Sequence, residues 1–227
     1  FPTRRSSDLG NVIQPANAAN IARVIAVKAG VPEAVPAFTV NRNCASGMEA
    51  VVSAANRISL GHNEVIIAGG VESMSNFPIL FPEGMRTFLT RFNKAKGFGE
   101  TLRTLLSFRP SFLSPQFPGL TDPLCGLTMG QTAELLTRDF HITREEQDQF
   151  ALESQNKAQR AMENGRFDEE IVPVPLPPDY KKMQTKDEGP RANQTLEALQ
   201  KLKPVFEKQT GSVTAGNASP VTDGAVA

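Results

Sequence analysis

Asn43-Cys44-Ala45-Ser46-Gly47 is the stretch of this sequence whose residue types best suit covalent chemistry. An extended run, Ala37-Phe38-Thr39-Val40-Asn41, leads into it, and Met48, Val51, Val52, Ala55 and Ile58 follow it with helical spacing. The cysteine therefore stands at a strand-to-helix turn. Such a turn lifts a side chain above a sheet while unpaired N–H groups of the first helical turn point toward it, an arrangement that favours the thiolate, the nucleophilic form of cysteine. Ala45, Ser46 and Gly47 add almost no bulk, which leaves room for a thioester at the sulfur. The residue types alone also permit a plainer role, a small side chain at a tight helix–strand contact, and a lone cysteine more often has that role.

Other reactive groups are few. His62 lies in the polar turn Gly61-His62-Asn63-Glu64, beyond the far end of the Cys44 helix, and His141 precedes a helix cap at Thr143; both read as solvated or locally hydrogen-bonded residues rather than as bases. Cys125 falls in a loop before Met129 and reads as a small packing residue. No metal site is expected. Two cysteines do not make a disulfide framework, and the chain reads as belonging to a reducing compartment.

The elements that must position Cys44 alternate. Gly10-Asn11-Val12-Ile13 ends an extended segment, Pro15-Ala16-Asn17 opens a helix that carries Ile21, Val24, Ile25 and Val27, and a continuous apolar strand runs from Val65 to Ala68. Helix alternating with buried strand indicates an α/β layered unit with a parallel core. Thr143-Arg144-Glu145-Glu146 is a capping-box pattern for a long helix to Asn164, with Phe150, Leu152 and Ala158 on its apolar stripe. Ile171 to Val174 reads as a short edge strand, 181–191 as polar and mobile, and 196–202 as a short helix. Lys plus Arg and Asp plus Glu are both 24, so no global field gathers nucleic acid, and no apolar run is long enough to span a bilayer. Between 85 and 112 the balance changes: Met85, Phe88, Leu89 and Phe92, then Phe98, Leu102, Leu105 and Leu106, alternate with Arg86, Arg91, Lys94, Lys96, Arg103 and Arg109. Such a hairpin suits a membrane interface or a partner helix, and equally suits folding onto its own protein with a solvated basic edge.

Asn41-Arg42-Asn43-Cys44-Ala45-Ser46-Gly47-Met48-Glu49-Ala50-Val51, then Val65-Ile66-Ile67-Ala68-Gly69-Gly70-Val71-Glu72-Ser73-Met74-Ser75, and finally Val213-Thr214-Ala215-Gly216-Asn217-Ala218-Ser219 before Asp223-Gly224 resemble successive signatures of the thiolase family. The resemblance runs from Gly10 to the last residue. It implies an α/β fold, the thiolase-like α-β-α-β-α layered sandwich, of which this chain holds an incomplete amino-terminal half (10–75 and 221–227) and a loop domain (76–220) with the basic hairpin 85–112. Residues 1–9 fit neither a secretory signal nor the family and look like a translated adapter arm, so they are set aside as a non-native leader. The family's first strand is then expected to be missing from the middle of the sheet, and the chain is expected neither to fold cooperatively nor to turn over.

By the same resemblance Cys44 matches the acyl-accepting cysteine, and Met129, Ser219, Arg191 and Leu120 match positions beside the thioester and the coenzyme A arm. The implied activity is thiolytic cleavage of 3-ketoacyl-CoA to acetyl-CoA and a shortened acyl-CoA in fatty-acid β-oxidation, with coenzyme A as substrate, no cofactor and no metal. The alternatives are acetoacetyl-CoA thiolase and a non-catalytic CoA- or lipid-binding subunit. The Phe-rich hairpin and the Thr222-Asp223-Gly224 turn resemble the β-subunit branch of the membrane-associated trifunctional complex. That branch implies a homodimer or tetramer, a hydratase/dehydrogenase α-subunit as partner, peripheral membrane contact, and a bacterial cytoplasmic or mitochondrial location. The family's Gly-His-Pro loop, its asparagine-bearing loop and its second cysteine in a Gly-rich loop have no counterpart in these 227 residues.

Overall fold

Apolar runs at Ala37–Val40 and Val65–Glu72 form strands β2 and β3, and between them lies β1, Arg5–Gly10. These elements come from a computed structural model that describes residues 5–76, 78–115 and 121–227. The chain divides into two compact units, Phe1–Pro118 with Val221–Ala227, and Gly119–Pro220.

In the first unit β1 pairs in parallel with β2 (Ser7 opposite Ala37, Gly10 opposite Val40) and with β3 (Arg5 opposite Val65, Gly10 opposite Gly70). A short strand at Gly224–Val226 adds antiparallel to the far edge of β3. Helices α1 (Ile21–Lys28) and α2 (Ser46–Ser59) connect the parallel strands. Because the two connections run to opposite sides of β1 and such crossovers are right-handed, the helices cover opposite faces of the sheet. Both approach through small side chains: Ala22 and Ala26 of α1, and Ser46, Ala50 and Ala54 of α2, are buried. The larger apolar residues of α2, Met48, Val51, Val52 and Ile58, remain exposed, as do Val65 and Ile67 of β3. This is a partial layered unit whose outer apolar faces have no cover within the described residues.

The position of β1 corrects the expectation that residues 5–9 stand outside the fold and that a central strand is missing; 1–4 lie outside the described residues. Ser6, Ser7, Asp8 and Leu9 are all buried in the middle of the sheet. Parallel strands covered on both faces are usually apolar throughout, which is why a polar segment did not read as one; the ladder itself needs only main-chain donors and acceptors. Asp8, fully buried, is satisfied by Ser6 Oγ (2.8 Å) and by Arg57 Nη1 (2.9 Å) reaching in from α2. Helix α1 starts at Ile21 rather than at Pro15, because Asn20 caps it by accepting from Arg23 N–H and from Thr39 Oγ1.

The basic hairpin consists of α3 (Glu83–Lys94) and α4 (Phe98–Leu106), turned at Gly97 with φ +89°. It closes partly on itself: Phe88 meets Phe108 edge-on at 5.3 Å and Phe112 at 6.4 Å. The hairpin falls in the first unit, whereas from sequence it groups with 76–220; the boundary lies near 118.

The second unit contains α5 (Met129–Asp139), α6 (Arg144–Glu163) and α7 (Leu196–Gln200). Capping boxes at Thr128 and Thr143 start α5 and α6, the second as expected from sequence. His141, φ +55°, ends α5 in a left-handed turn that lets Ile142 N–H reach Thr137 O at 2.9 Å. Two expectations fail. Lys182–Gln184 forms β5 and pairs antiparallel with β4, Val174–Leu176, so this part of 181–191 has a partner that local polarity does not reveal. Phe150 is exposed and Asp148 is the buried residue of α6.

Candidate functional site

The turn that carries Cys44 is held by its own neighbours. Asn43 has φ +48°, a left-handed conformation that asparagine tolerates better than most side chains. Its N–H donates to Asn41 Oδ1 (3.1 Å), and Asn41 Nδ2 donates to Val12 O at 3.0 Å. Ser46, buried at the start of α2, donates its hydroxyl to Asn43 O (2.6 Å) and accepts from Arg42 N–H (2.8 Å). Arg42 and Glu49 form an ion pair across the turn. The end of β1 runs beneath the start of α2 so closely that a Cβ on Gly10 would lie 2.5 Å from Ser46 C, which accounts for glycine there. Farther back, the Glu72 carboxylate accepts from Val12 N–H (2.7 Å), Ile13 N–H (3.2 Å) and Asn11 Nδ2 (3.2 Å), which fixes the segment that Asn41 grips. The result is a rigid elbow with Cys44 exposed at its tip, two residues before α2 begins.

Asp223, which leads into the last strand, accepts from Ser75 N–H at 2.7 Å. That bond holds its carboxyl below the usual aspartate range. A bond from Thr143 N–H likewise depresses Glu146, here within the capping box of α6.

Met129, Arg191 and Ser219 belong to the second unit and Cys44 to the first. Met129 is the first residue of α5 and is exposed; Thr128 beside it is the helix cap. Arg191 is exposed, with its backbone N–H tied to Gln155 Oε1 at 2.8 Å. Ser219 is exposed just past the turn of 214–218. Leu120 lies outside the described residues. Cys125 is exposed rather than packed, because Asp122 Oδ1 gathers the N–H groups of Leu124 and Cys125 into a turn on the surface. His62 and His141 are both exposed.

The residues missed from sequence are those that build the Ser219 turn. Glu134, 2% exposed, accepts from Ser212 N–H (2.9 Å), Val213 N–H (3.0 Å) and Ser212 Oγ (3.2 Å). Asp148, fully buried, accepts from Arg144 Nε (2.8 Å) and from Asn217 Nδ2 (2.9 Å). Asn217 in turn accepts from Thr214 N–H at 2.7 Å. The Val213–Ser219 segment is thus bolted to α5 and α6 through two buried carboxylates. Among the described residues no group of three or more His, Cys, Asp or Glu side chains is arranged to hold a metal ion.

The first unit is a layered α/β unit that lifts an exposed cysteine on a strand-to-helix elbow. Residues 6–227 match the profile of the thiolase amino-terminal domain, and the chain belongs to the thiolase family. A Staphylococcus aureus protein named "Probable acetyl-CoA acyltransferase" is 43% identical over 219 residues, covering 96% of this chain and 51% of its own. A Staphylococcus epidermidis protein of the same name is 46% identical over 221 residues, covering 96% and 52%. The crystal structure of a Bacillus anthracis acetyl-CoA acetyltransferase superposes with a TM-score of 0.79 at 41% identity, over 100% of this chain and 54% of that one. The chain spans about half the length of these relatives.

Proposed function

We propose that this chain supplies the nucleophile of a 3-ketoacyl-CoA thiolase, an acetyl-CoA C-acyltransferase of fatty-acid β-oxidation. The observation that carries this reading is the elbow: a sulfur held by Asn41, Asn43 and Ser46 where a bulky thioester can reach it. In the reaction the Cys44 thiolate attacks the 3-keto carbon, the bond between C2 and C3 breaks, and acetyl-CoA leaves as its enolate and takes up a proton. The acyl group remains on sulfur. A second coenzyme A, as thiolate, attacks that thioester and releases the shortened acyl-CoA and the Cys44 thiolate. Sulfur suits both halves, being nucleophilic near neutral pH and a good leaving group.

In this reading Met129 borders the thioester, Ser219 hydrogen-bonds the pantetheine arm, Arg191 contacts the nucleotide phosphate and Leu120 packs on the same ligand. Coenzyme A is the substrate and no cofactor takes part. A planar guanidinium on an exposed loop suits phosphate oxygens. The 227 residues contain no Gly-His-Pro run, and a lost acid–base group costs about 10²–10⁴ in rate, so the chain by itself does not turn over. The whole protein is a homodimer or tetramer in a bacterial cytoplasm or a mitochondrion, and its hairpin at 85–112 faces a hydratase/dehydrogenase subunit or the membrane; the exposed Phe98, Leu102, Leu105 and Leu106 support that contact. No helix among the described residues is long and apolar enough to cross a membrane.

A second reading, acetoacetyl-CoA thiolase, is supported by the acetyltransferase to which the chain superposes. Thiolysis of 3-ketoacyl-CoA substrates of increasing chain length by the full-length protein separates the two. Sustained activity beyond acetoacetyl-CoA, abolished by Cys44→Ala, is the result expected for the first reading. Loss of all activity beyond four carbons selects the second, and full activity in Cys44→Ala removes both.

A further inference from the structure

Two carboxylates are buried in the second unit where apolar packing would hold it together as well. Glu134 on α5 and Asp148 on α6 are almost wholly out of solvent, and a buried charge is weak support for stability, because well-packed apolar residues of similar volume often do as well or better. What the carboxylates add is direction. Every bond they make toward 212–217 is a hydrogen bond from a defined donor, and a fully satisfied buried network selects one arrangement of the chain.

The bonds run in sequence up to Ser219 and stop there. Glu134 holds the N–H groups of Ser212 and Val213. Asn217 is used on both sides: its Nδ2 donates to Asp148 Oδ1 (2.9 Å) and to Ser212 O (3.0 Å), while its Oδ1 accepts from Thr214 N–H (2.7 Å). Thr214, fully buried, accepts at Oγ1 from Gly216 N–H (3.2 Å) and Asn217 N–H (3.3 Å), and its carbonyl accepts from Ala218 N–H (3.1 Å). Gly216 leaves no slack beneath the turn, since a Cβ there would lie 2.6 Å from both Leu199 and Leu202. Those two residues are tied to α6 in turn: Arg144, paired with Asp148, donates to Leu199 O (2.8 Å) and Leu202 O (3.0 Å). Ser219 follows directly, exposed, and its hydroxyl has no hydrogen-bond partner among the described residues.

We propose that Asp148 and Glu134 are positioning residues for coenzyme A: through Asn217 and the 212–217 segment they set where the Ser219 hydroxyl stands to meet the pantetheine arm. The proposal rests on the reading of Ser219 given above. A turn ordered before the ligand arrives spares the entropy of ordering it during binding. Asp148→Asn disturbs this arrangement with almost no change of shape. The Arg144 guanidinium keeps the remaining oxygen, the new amide group then faces Asn217 Nδ2, donor against donor, and Asn217 loses its hold on α6.

The test is steady-state thiolysis by the full-length protein carrying Asp148→Asn, Ser219→Ala, both together, or the control Thr143→Ala, which uncaps α6 without touching 212–219. Acylation of Cys44 by 4-nitrophenyl acetate, which has no pantetheine arm, is followed in parallel. The expected result is a KM for coenzyme A raised about tenfold in Asp148→Asn, with kcat and the 4-nitrophenyl acetate rate unchanged, as for lost binding rather than lost chemistry. The double variant is expected to be no worse than Ser219→Ala alone, because both changes remove one interaction, and Thr143→Ala is expected to keep the parent KM. If Asp148→Asn fails to fold, Glu134→Gln, which turns an amide donor toward the N–H groups of Ser212 and Val213, is read by the same criteria. An unchanged KM in the folded variant, an effect that adds to that of Ser219→Ala, a matching fall in the 4-nitrophenyl acetate rate, or an equal rise of KM in Thr143→Ala overturns the positioning role alone. An unchanged KM in Ser219→Ala strikes the reading of Ser219 itself, and the proposal with it.

Discussion

The turn bearing Cys44 and the turn bearing Ser219 are both short, rich in small residues and exposed at their tips, yet opposite means hold them. Around Cys44 the support is local: Asn41, Arg42, Asn43, Ser46 and Glu49 bond to one another across a few residues, with Gly10 beneath. Around Ser219 the support is remote: Glu134 and Asp148, some 70 to 80 residues away in sequence, enter from two helices and are almost wholly buried. The first design fixes one side chain at modest energetic risk. The second makes the stability of its unit depend on two carboxylates that have no solvent to replace their donors. Geometry for chemistry is thus concentrated in one unit and stability in a polar knot in the other.

Breaking the remote support produces the largest effect. Glu134→Leu leaves the N–H groups of Ser212 and Val213 without an acceptor in a buried site, and each such group costs about 1–3 kcal/mol. Denaturant unfolding of the full chain followed by amide exchange in 119–220 is expected to show that unit destabilised by several times the thermal energy while Cys44 keeps its alkylation rate. Equal losses in both units would erase the distinction.

Ser46→Ala is the complementary change and is smaller in stability. It removes one acceptor and one donor next to backbone, about 1–2 kcal/mol, and it leaves Arg42 N–H without its acceptor while Asn43 O keeps only the bond from Ser46 N–H at 3.0 Å. The ratio of Cys44 to Cys125 alkylation by iodoacetamide is the sensitive readout, because both thiols are exposed and Cys125 serves as an internal reference. A ratio unchanged from the parent chain would show that the elbow does not depend on Ser46.

The smallest effect is one of pH. Asp223 has its pKa lowered by the bond from Ser75 N–H. A carboxyl depressed in the folded state adds stability that is complete above its unfolded pKa, about 3.9, and is lost as pH falls through the lower folded value. The protection of the Ser75 amide, its exchange rate relative to the intrinsic rate at the same pH, is therefore expected to hold at neutral pH and to fall only in that acid window. In Asp223→Asn the acid transition disappears.

The same contrast governs how much was legible from sequence. The elbow is visible because most of the bonds that shape it lie within 41–49, whereas the support from Gly10, Val12 and Glu72 is not; the capping boxes of α5 and α6 are likewise local patterns, of which the Thr143 pattern stands out in the sequence. The buried face of α2 is not legible from side-chain size, since Met48, Val51 and Ile58 have the larger side chains but Ser46, Ala50 and Ala54 are what fit against the sheet. Strand β1 was missed for a related reason: Ser6, Ser7 and Asp8 do not look like the interior of a parallel sheet, and only Arg57, 49 residues on, makes Asp8 tolerable there. With β1 in place the expectation of a sheet lacking its middle strand, and of failed cooperative folding on that ground, no longer has its premise. The Glu134 and Asp148 knot has no local signature at all, because each carboxylate is an ordinary helix residue until the 212–217 segment arrives.

The central claim is that Cys44 accepts the acyl group, and peptide mass spectrometry of the full-length protein, acid-quenched shortly after mixing with acyl-CoA, tests it most directly. The account predicts an acyl group on the peptide containing Cys44, none on the peptide containing Cys125, and its loss when free coenzyme A is added before the quench. An acyl group on Cys125, or on neither cysteine while thiolysis proceeds, would contradict it.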